Sequence, residues 1–221
     1  LEVARATNTP ELDLDVLRQE AIASFGDVRG YDPVTIESND RSITVASFHP
    51  RDNLLAIGHR DGRIEFFNPQ SKAPLGEIPG HGKAIGALSF TGDGSRLLSV
   101  DSEGQVRDTT VEATPKAVRA VSTKDLFRTE KGDVWFDFAG SGKYLTTSNE
   151  NRASVWNVEQ RTPFKQFSAP EGRQLKCVRV SPDGKWLAAS ADATQGGSTS
   201  DQLLLWEMAG EGRVREIKLN H

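Results

Sequence analysis

Cysteine is nearly missing from this chain. The single thiol, Cys177, excludes an internal disulfide and any Cys-rich zinc site. It stands in an apolar alternation, so it is expected to be buried and inert. Long apolar runs are missing too. None spans a bilayer and no signal-peptide pattern opens the sequence, so no membrane contact is expected of a segment read as soluble and, by default, cytoplasmic. No charge of one sign dominates. Net charge is −4 and the pI about 5.7, which leaves no basic field for nucleic acid. Metal-ligand spacing is absent: His49, His59, His81 and His221 form neither HxxxH nor HExxH, and Asp13 and Asp15 do not continue as a calcium loop. His59, next to Arg60-Asp61 at a hairpin turn, reads as a surface residue, and His81 as a structural hydrogen-bond partner rather than a base.

Phosphate-loop chemistry is excluded on similar grounds. Gly80-His81-Gly82-Lys83 and Gly140-Ser141-Gly142-Lys143 resemble the end of GxxxxGK[ST]. The leading glycine is replaced by Glu77 and Asp137, and Ala84 and Tyr144 follow the lysines where a metal-binding hydroxyl is needed. Both read as turns. No nucleophile-elbow motif is present. No catalytic residue, cofactor or metal is therefore expected.

What is present is a repeat. The stretch Lys176 to Glu207 holds an alternating strand, a Ser181-Pro182-Asp183-Gly184 turn, an apolar strand from Trp186, a polar connection and a third strand ending Leu205-Trp206-Glu207. Three earlier copies follow the same order. Their first strands end at Phe48, Phe90 and Phe138, and that of the last copy at Val180, at intervals of 42, 48 and 42. Their third strands end at Phe67, Thr109, Trp156 and Trp206, at intervals of 42, 47 and 50. Candidate fourth strands are Leu75 to Ile78, Ala117 to Val121, Thr162 to Phe167 and Arg215 to Leu219. Asp108 breaks the apolar pattern of the second copy. The extra length of the third unit is placed in the connection between Val111 and Lys131, and that of the fourth unit in Ala193 to Ser200, where added loop length costs little. A four-stranded sheet with two apolar faces cannot bury both alone, so the copies must stack.

Before the repeats, Thr9-Pro10-Glu11 can start a helix carrying Leu14, Leu17, Ala21 and Ile22 on one face, with Gly26 as its stop. The expected organisation is a helix and linker over 1–40 and four blades over about 41–80, 81–124, 125–169 and 170–221.

On SPDGKWLAAS, SVWNVE, LLLWE and Gly80-His81, the stretch 41–221 resembles the WD40 repeats of β-propellers. The resemblance implies an all-β propeller segment of about four blades. It also implies structural places for Phe67, His81, Trp156 and Trp206, and a non-catalytic platform for protein or peptide partners. Trp186 and Trp135 are the candidate partner-binding aromatics. No copy has a literal Trp-Asp pair, and His81 lacks a tryptophan in its own repeat, which puts its hydrogen-bond network in question. Leu17 to Ala23 is similar to the helix before the WD40 array of large bacterial proteins with an upstream Ser/Thr kinase domain, which implies a segment of a bigger polypeptide. Two other readings stand beside the platform: a propeller lyase or hydrolase with its site at the central channel, or a regulatory or sensor segment of a kinase. Four blades leave two faces open, so either further blades follow His221 or a homodimer completes the ring.

Overall fold

Turn chemistry and period-2 alternation dictate short antiparallel strands, and a computed structural model shows sixteen of them over the described residues 42–193, 202–209 and 214–218. The candidate helix and linker over 1–40 and the 194–200 part of the loop expected at Ala193 to Ser200 lie outside these residues.

The strands form four separate four-stranded sheets, each connected in simple sequence order. The first is β1 (Ile43–Phe48), β2 (Leu55–His59), β3 (Ile64–Phe67) and β4 (Pro74–Ile78). The second is β5 (Ile85–Phe90), β6 (Arg96–Asp101), β7 (Gln105–Ala113) and β8 (Val118–Arg128). The third is β9 (Trp135–Ala139), β10 (Tyr144–Asn149), β11 (Arg152–Asn157) and β12 (Thr162–Ser168). The fourth is β13 (Arg173–Val180), β14 (Trp186–Ala193), β15 (Gln202–Glu207) and β16 (Val214–Lys218). These are the four blades of an all-β propeller. Blade follows blade: β1 packs on β5, β5 on β9, and β9 and β10 on β13. No comparable packing joins the fourth blade to the first among the described residues.

The register explains why the repeat is visible in the sequence. Phe67, Thr109, Trp156 and Trp206 pair directly opposite Leu55, Leu97, Leu145 and Leu187, the second-strand leucines. All eight are buried. Between the first and second blades, Ile64, Phe66 and Ile78 meet Ile85, Leu88, Phe90 and Leu97. Between the second and third, Val100 and Val106 meet Phe136, Leu145 and Trp156. Between the third and fourth, Val155 and Phe167 meet Val178, Leu187 and Trp206. Each joint thus buries the two apolar faces that neither blade could bury alone. A fully buried leucine such as Leu97 or Leu187 contributes about 2 kcal/mol by leaving water.

Four expectations need correction. The extra length of the second blade is not loop. It lengthens β7 and β8 into a long hairpin, with bulges between Val106 and Arg107 and between Thr110 and Val111. Bulges absorb surplus residues without ending the pairing. Asp108 does not interrupt β7, because its carboxylate accepts from Arg96 Nη1 at 2.7 Å. His59 is not on the surface: it is fully buried, with Nε2 3.1 Å from Glu65 Oε2. Its neighbours Arg60 and Asp61 carry the exposed turn, while His59 is the last residue of β2 and points inward. Cys177 is half-buried rather than buried.

Candidate functional site

The polar chemistry of the chain concentrates at the link between the first and second blades. Here the chain leaves β4 through Gly80 and His81. The His81 N–H donates to the Gly62 carbonyl in the β2–β3 turn at 2.9 Å. This fixes the residue over the end of β6, whose alternation places Ser99 and Asp101 on the same face. His81 Nδ1 lies 3.2 Å from Asp101 Oδ2, and Nε2 lies 2.8 Å from Ser99 Oγ. A carboxylate oxygen only accepts, so Nδ1 is the donor and Nε2 accepts from the serine hydroxyl. Asp101 Oδ1 in turn accepts from the N–H groups of Glu103 and Gln105, both at 2.9 Å, closing the β6–β7 turn. Burial pulls the His81 pKa down, and the Asp101 carboxylate opposes that pull. The set therefore favours a neutral imidazole held in place. It forms without any tryptophan, since Thr109 occupies that place and bonds Thr123 Oγ1 at 3.2 Å. His81, Ser99 and Asp101 are all buried.

The third blade carries the same places with different residues. Thr129 donates its N–H to the Gly104 carbonyl as His81 does to Gly62. Thr147 and Asn149 stand where Ser99 and Asp101 stand. Asp133 lies five residues before Phe138, as Ile85 lies five before Phe90. A carboxylate thus replaces a core isoleucine. Burial raises its pKa, and the neighbouring Thr147 and Thr129 hydroxyls offset part of the rise. Asp133 Oδ2, Thr129 Oγ1, Thr147 Oγ1 and Trp156 Nε1 are all buried with no hydrogen bond of ordinary geometry, the two hydroxyls standing near the carboxylate. The sequence reading passed over these residues, although the five-residue count to Phe138 marks Asp133 as the one acid in an apolar series.

The expected site residues fall in three groups. Phe67, Trp156 and Trp206 are packing residues, Trp156 stacking on Phe127 at 5.4 Å. Trp135 is half-buried in the joint between the third and fourth blades. Trp186 is half-buried on the outer face of the fourth blade, with Arg215 Cζ 5.2 Å over its ring.

Gly140 to Lys143 joins strand to strand, not strand to helix, and lines a cleft of about 550 Å3 between the turns of the second and third blades. Its walls mix Arg96, Lys143 and Arg161 with Asp93, Asp108 and Glu159. On the innermost strands, Asp137 lies 3.7 Å from Arg179, and burial raises its pKa against that guanidinium. Among the described residues no group of three or more His, Cys, Asp or Glu side chains is placed to hold a metal, and no helix is long and apolar enough to cross a membrane.

Comparison with known proteins agrees with this architecture. Residues 72–107 and 161–194 match the sequence model of the WD domain, G-beta repeat. Each matched stretch begins near the outermost strand of one blade and runs into the next. The Dictyostelium discoideum WD repeat-containing protein 91 homolog is 27% identical over 64% of this chain and 19% of its own length. The Arabidopsis thaliana transcriptional corepressor LEUNIG_HOMOLOG is 25% identical over 83% of this chain and 21% of its own. Rat apoptotic protease-activating factor 1 is 22% identical over 82% and 15%. The chain thus spans about a fifth or less of the length of these relatives. Among solved structures, Kuenenia stuttgartiensis hydrazine synthase superposes with a TM-score of 0.61 at 18% identity, over 86% of this chain and 53% of that one. At that identity the likeness concerns the fold.

Proposed function

Because the chain is a member of the WD40-repeat β-propeller family, we propose that it is a non-catalytic platform on which protein or peptide partners assemble. One observation carries the reading. The best-organised polar set, His81 with Ser99 and Asp101, is buried and serves to hold two blades together. The rims, by contrast, carry charges paired side by side, such as Lys83 with Glu103 and Arg107 with Asp125. The best-ordered polar chemistry is inward and structural, which supports recognition over catalysis. Two relatives carry regulators' names, a transcriptional corepressor and a protease-activating factor. Trp186, with Arg215 over its ring, is the better aromatic anchor, since Trp135 belongs to a joint.

A catalytic site at the inner edge is the second reading, and Asp137 is the observation that favours it. One experiment separates the two. The immobilised chain captures partners from an extract; each is then purified, rebound, and its footprint mapped by hydrogen exchange. The platform reading expects at least one direct protein or peptide partner. It fails if pure proteins do not bind while the chain turns over a small substrate in a manner abolished by Asp137→Asn.

A further inference from the structure

One internal joint is filled differently from the others. Asp108 stands opposite Leu98 in the second blade, as Phe66 stands opposite Ala56, Val155 opposite Thr146 and Leu205 opposite Ala188. Phe66 and Val155 are fully buried in the joints that follow their blades. The second blade alone puts an acid at this place, and the joint it faces holds the cleft of about 550 Å3. Such a volume suits a small ligand or the end of a chain.

Packing does not account for Asp108. An apolar side chain would remove more apolar surface from water, and Asp108 Oδ1 is buried without a hydrogen bond. Oδ2 accepts from Arg96 Nη1 at 2.7 Å. That leaves the other N–H groups of the guanidinium without an acceptor among the described residues, and half of the Arg96 side chain is exposed at the cleft. Lys143 and Arg161 share the wall on adjoining turns, which are joined by the Val158 N–H donating to the Lys143 carbonyl at 3.1 Å. Neither forms an ion pair among the described residues; the Lys143 ammonium rests 5.2 Å from the centre of the Tyr144 ring. The acids of the wall are mostly committed. The Thr91 hydroxyl, the Ser95 hydroxyl and the Ser95 N–H donate to Asp93 and hold its pKa down at about 2. Asp108 holds Arg96. Glu159 is the one acid of the wall without a partner among the described residues. The unpaired charge is therefore positive by a small margin. A single carboxylate matches it, whereas a phosphate, with about two charges, would meet the carboxylates of Asp93, Asp108 and Glu159. Leu98, Leu126 and Val158 supply the apolar part of the lining.

We propose that this cleft binds the free C-terminal residue of a partner polypeptide whose last side chain is apolar. The terminal carboxylate accepts from Arg96 and Arg161. The last side chain lies on Leu98, Leu126 and Val158, in the volume that Phe66 fills in the first joint. Asp108 is a positioning residue that aims Arg96. This rests on the platform reading and names the chemistry of its partner.

The full chain is titrated with fluorescently labelled pentapeptides ending in leucine, valine or phenylalanine, each as the free acid and as the C-terminal amide. Anisotropy should show saturable binding of at least one free acid, with its amide about tenfold weaker or more. Arg161→Asn should weaken the acid about tenfold; asparagine tolerates the left-handed φ of 58° at this position. Asp108→Val should abolish the preference for acid over amide and leave the thermal melt unchanged or higher, since valine holds this place in the third blade. A purely structural Asp108 predicts the reverse, a lowered melt with the preference intact. The proposal is overturned if no free acid binds, if acids and amides bind alike, or if either variant keeps the preference. Tighter binding of a peptide ending in phosphoserine amide overturns it too. A chain that ignores these peptides yet keeps a captured partner defeats this inference alone; a chain that takes no protein partner defeats the platform reading.

Discussion

The second and third blades share one frame and fill it oppositely. The second holds a complete His81–Ser99–Asp101 set and a threonine, Thr109, in the aromatic place. The third holds an aromatic, Trp156, and leaves four buried polar atoms of Thr129, Thr147, Asp133 and Trp156 without a hydrogen bond of ordinary geometry. Both blades bury their second-strand leucine completely. The aromatic and the hydrogen-bond set are therefore separable devices. One fills volume between blades; the other ties the link entering a blade to the β-turn of that blade. Losing either one leaves the blade standing, because the joints carry most of the burial.

The largest effect that breaks this comparison comes from removing the imidazole. His81→Ala leaves Asp101 Oδ2 and Ser99 Oγ buried and unpaired, at a cost of about 3 kcal/mol from two unsatisfied groups. Thr129→Ala removes a hydroxyl that makes no hydrogen bond of ordinary geometry and should cost under about 1 kcal/mol. Urea unfolding of both variants measures the gap. Equal costs would mean that the hydrogen bonds of the second blade add nothing beyond what the third has without them.

How far the sequence carried this picture depends on which force is in question. Burial has a period, so the pairing of Phe67, Thr109, Trp156 and Trp206 with four leucines follows from counting. Hydrogen bonds have no period. His81, Ser99 and Asp101 are separated by up to 20 residues, and their meeting depends on a backbone bond to Gly62 that no motif announces. His59 was misplaced because Arg60 and Asp61 beside it look like a surface turn, whereas the inward side of a strand continues to its last residue. The surplus length of the β7–β8 hairpin, beyond Thr109 and Val121, reads as connection in the sequence because bulges destroy the alternation on which strand reading rests.

A smaller effect sharpens the comparison by moving the second blade's device into the third. Thr129 takes the backbone position of His81, next to Thr147 and Asp133. Thr129→His places an imidazole among polar atoms that lack hydrogen bonds of ordinary geometry, and should raise stability by about 1 kcal/mol, one net hydrogen bond. A rise in the urea midpoint with unchanged slope is the expected result. A fall in the midpoint would show that Trp156 already fills the space the ring needs.

The smallest effect is a difference in sign with pH. Burial lowers the His81 pKa, so the folded state resists protonating it. Its contribution is complete above the ordinary histidine value of about 6.5 and is lost as pH falls through the lowered folded value. Burial raises the Asp133 pKa, and the sign reverses. Its contribution is complete below the ordinary aspartate value of about 3.9 and is lost as pH rises through the raised folded value. The second blade therefore loosens on mild acidification, while the third gains once its carboxyl takes a proton. Urea unfolding across mildly acidic pH should show stability falling with pH in the wild type. The fall should be shallower in His81→Gln, which no longer titrates. Asp133→Asn should leave that limb unchanged and reduce the partial recovery at lower pH to the part contributed by Asp137, also raised by burial. If Asp133→Asn flattened the upper limb instead, the two blades would not be acting independently, and the separation of their devices would fail.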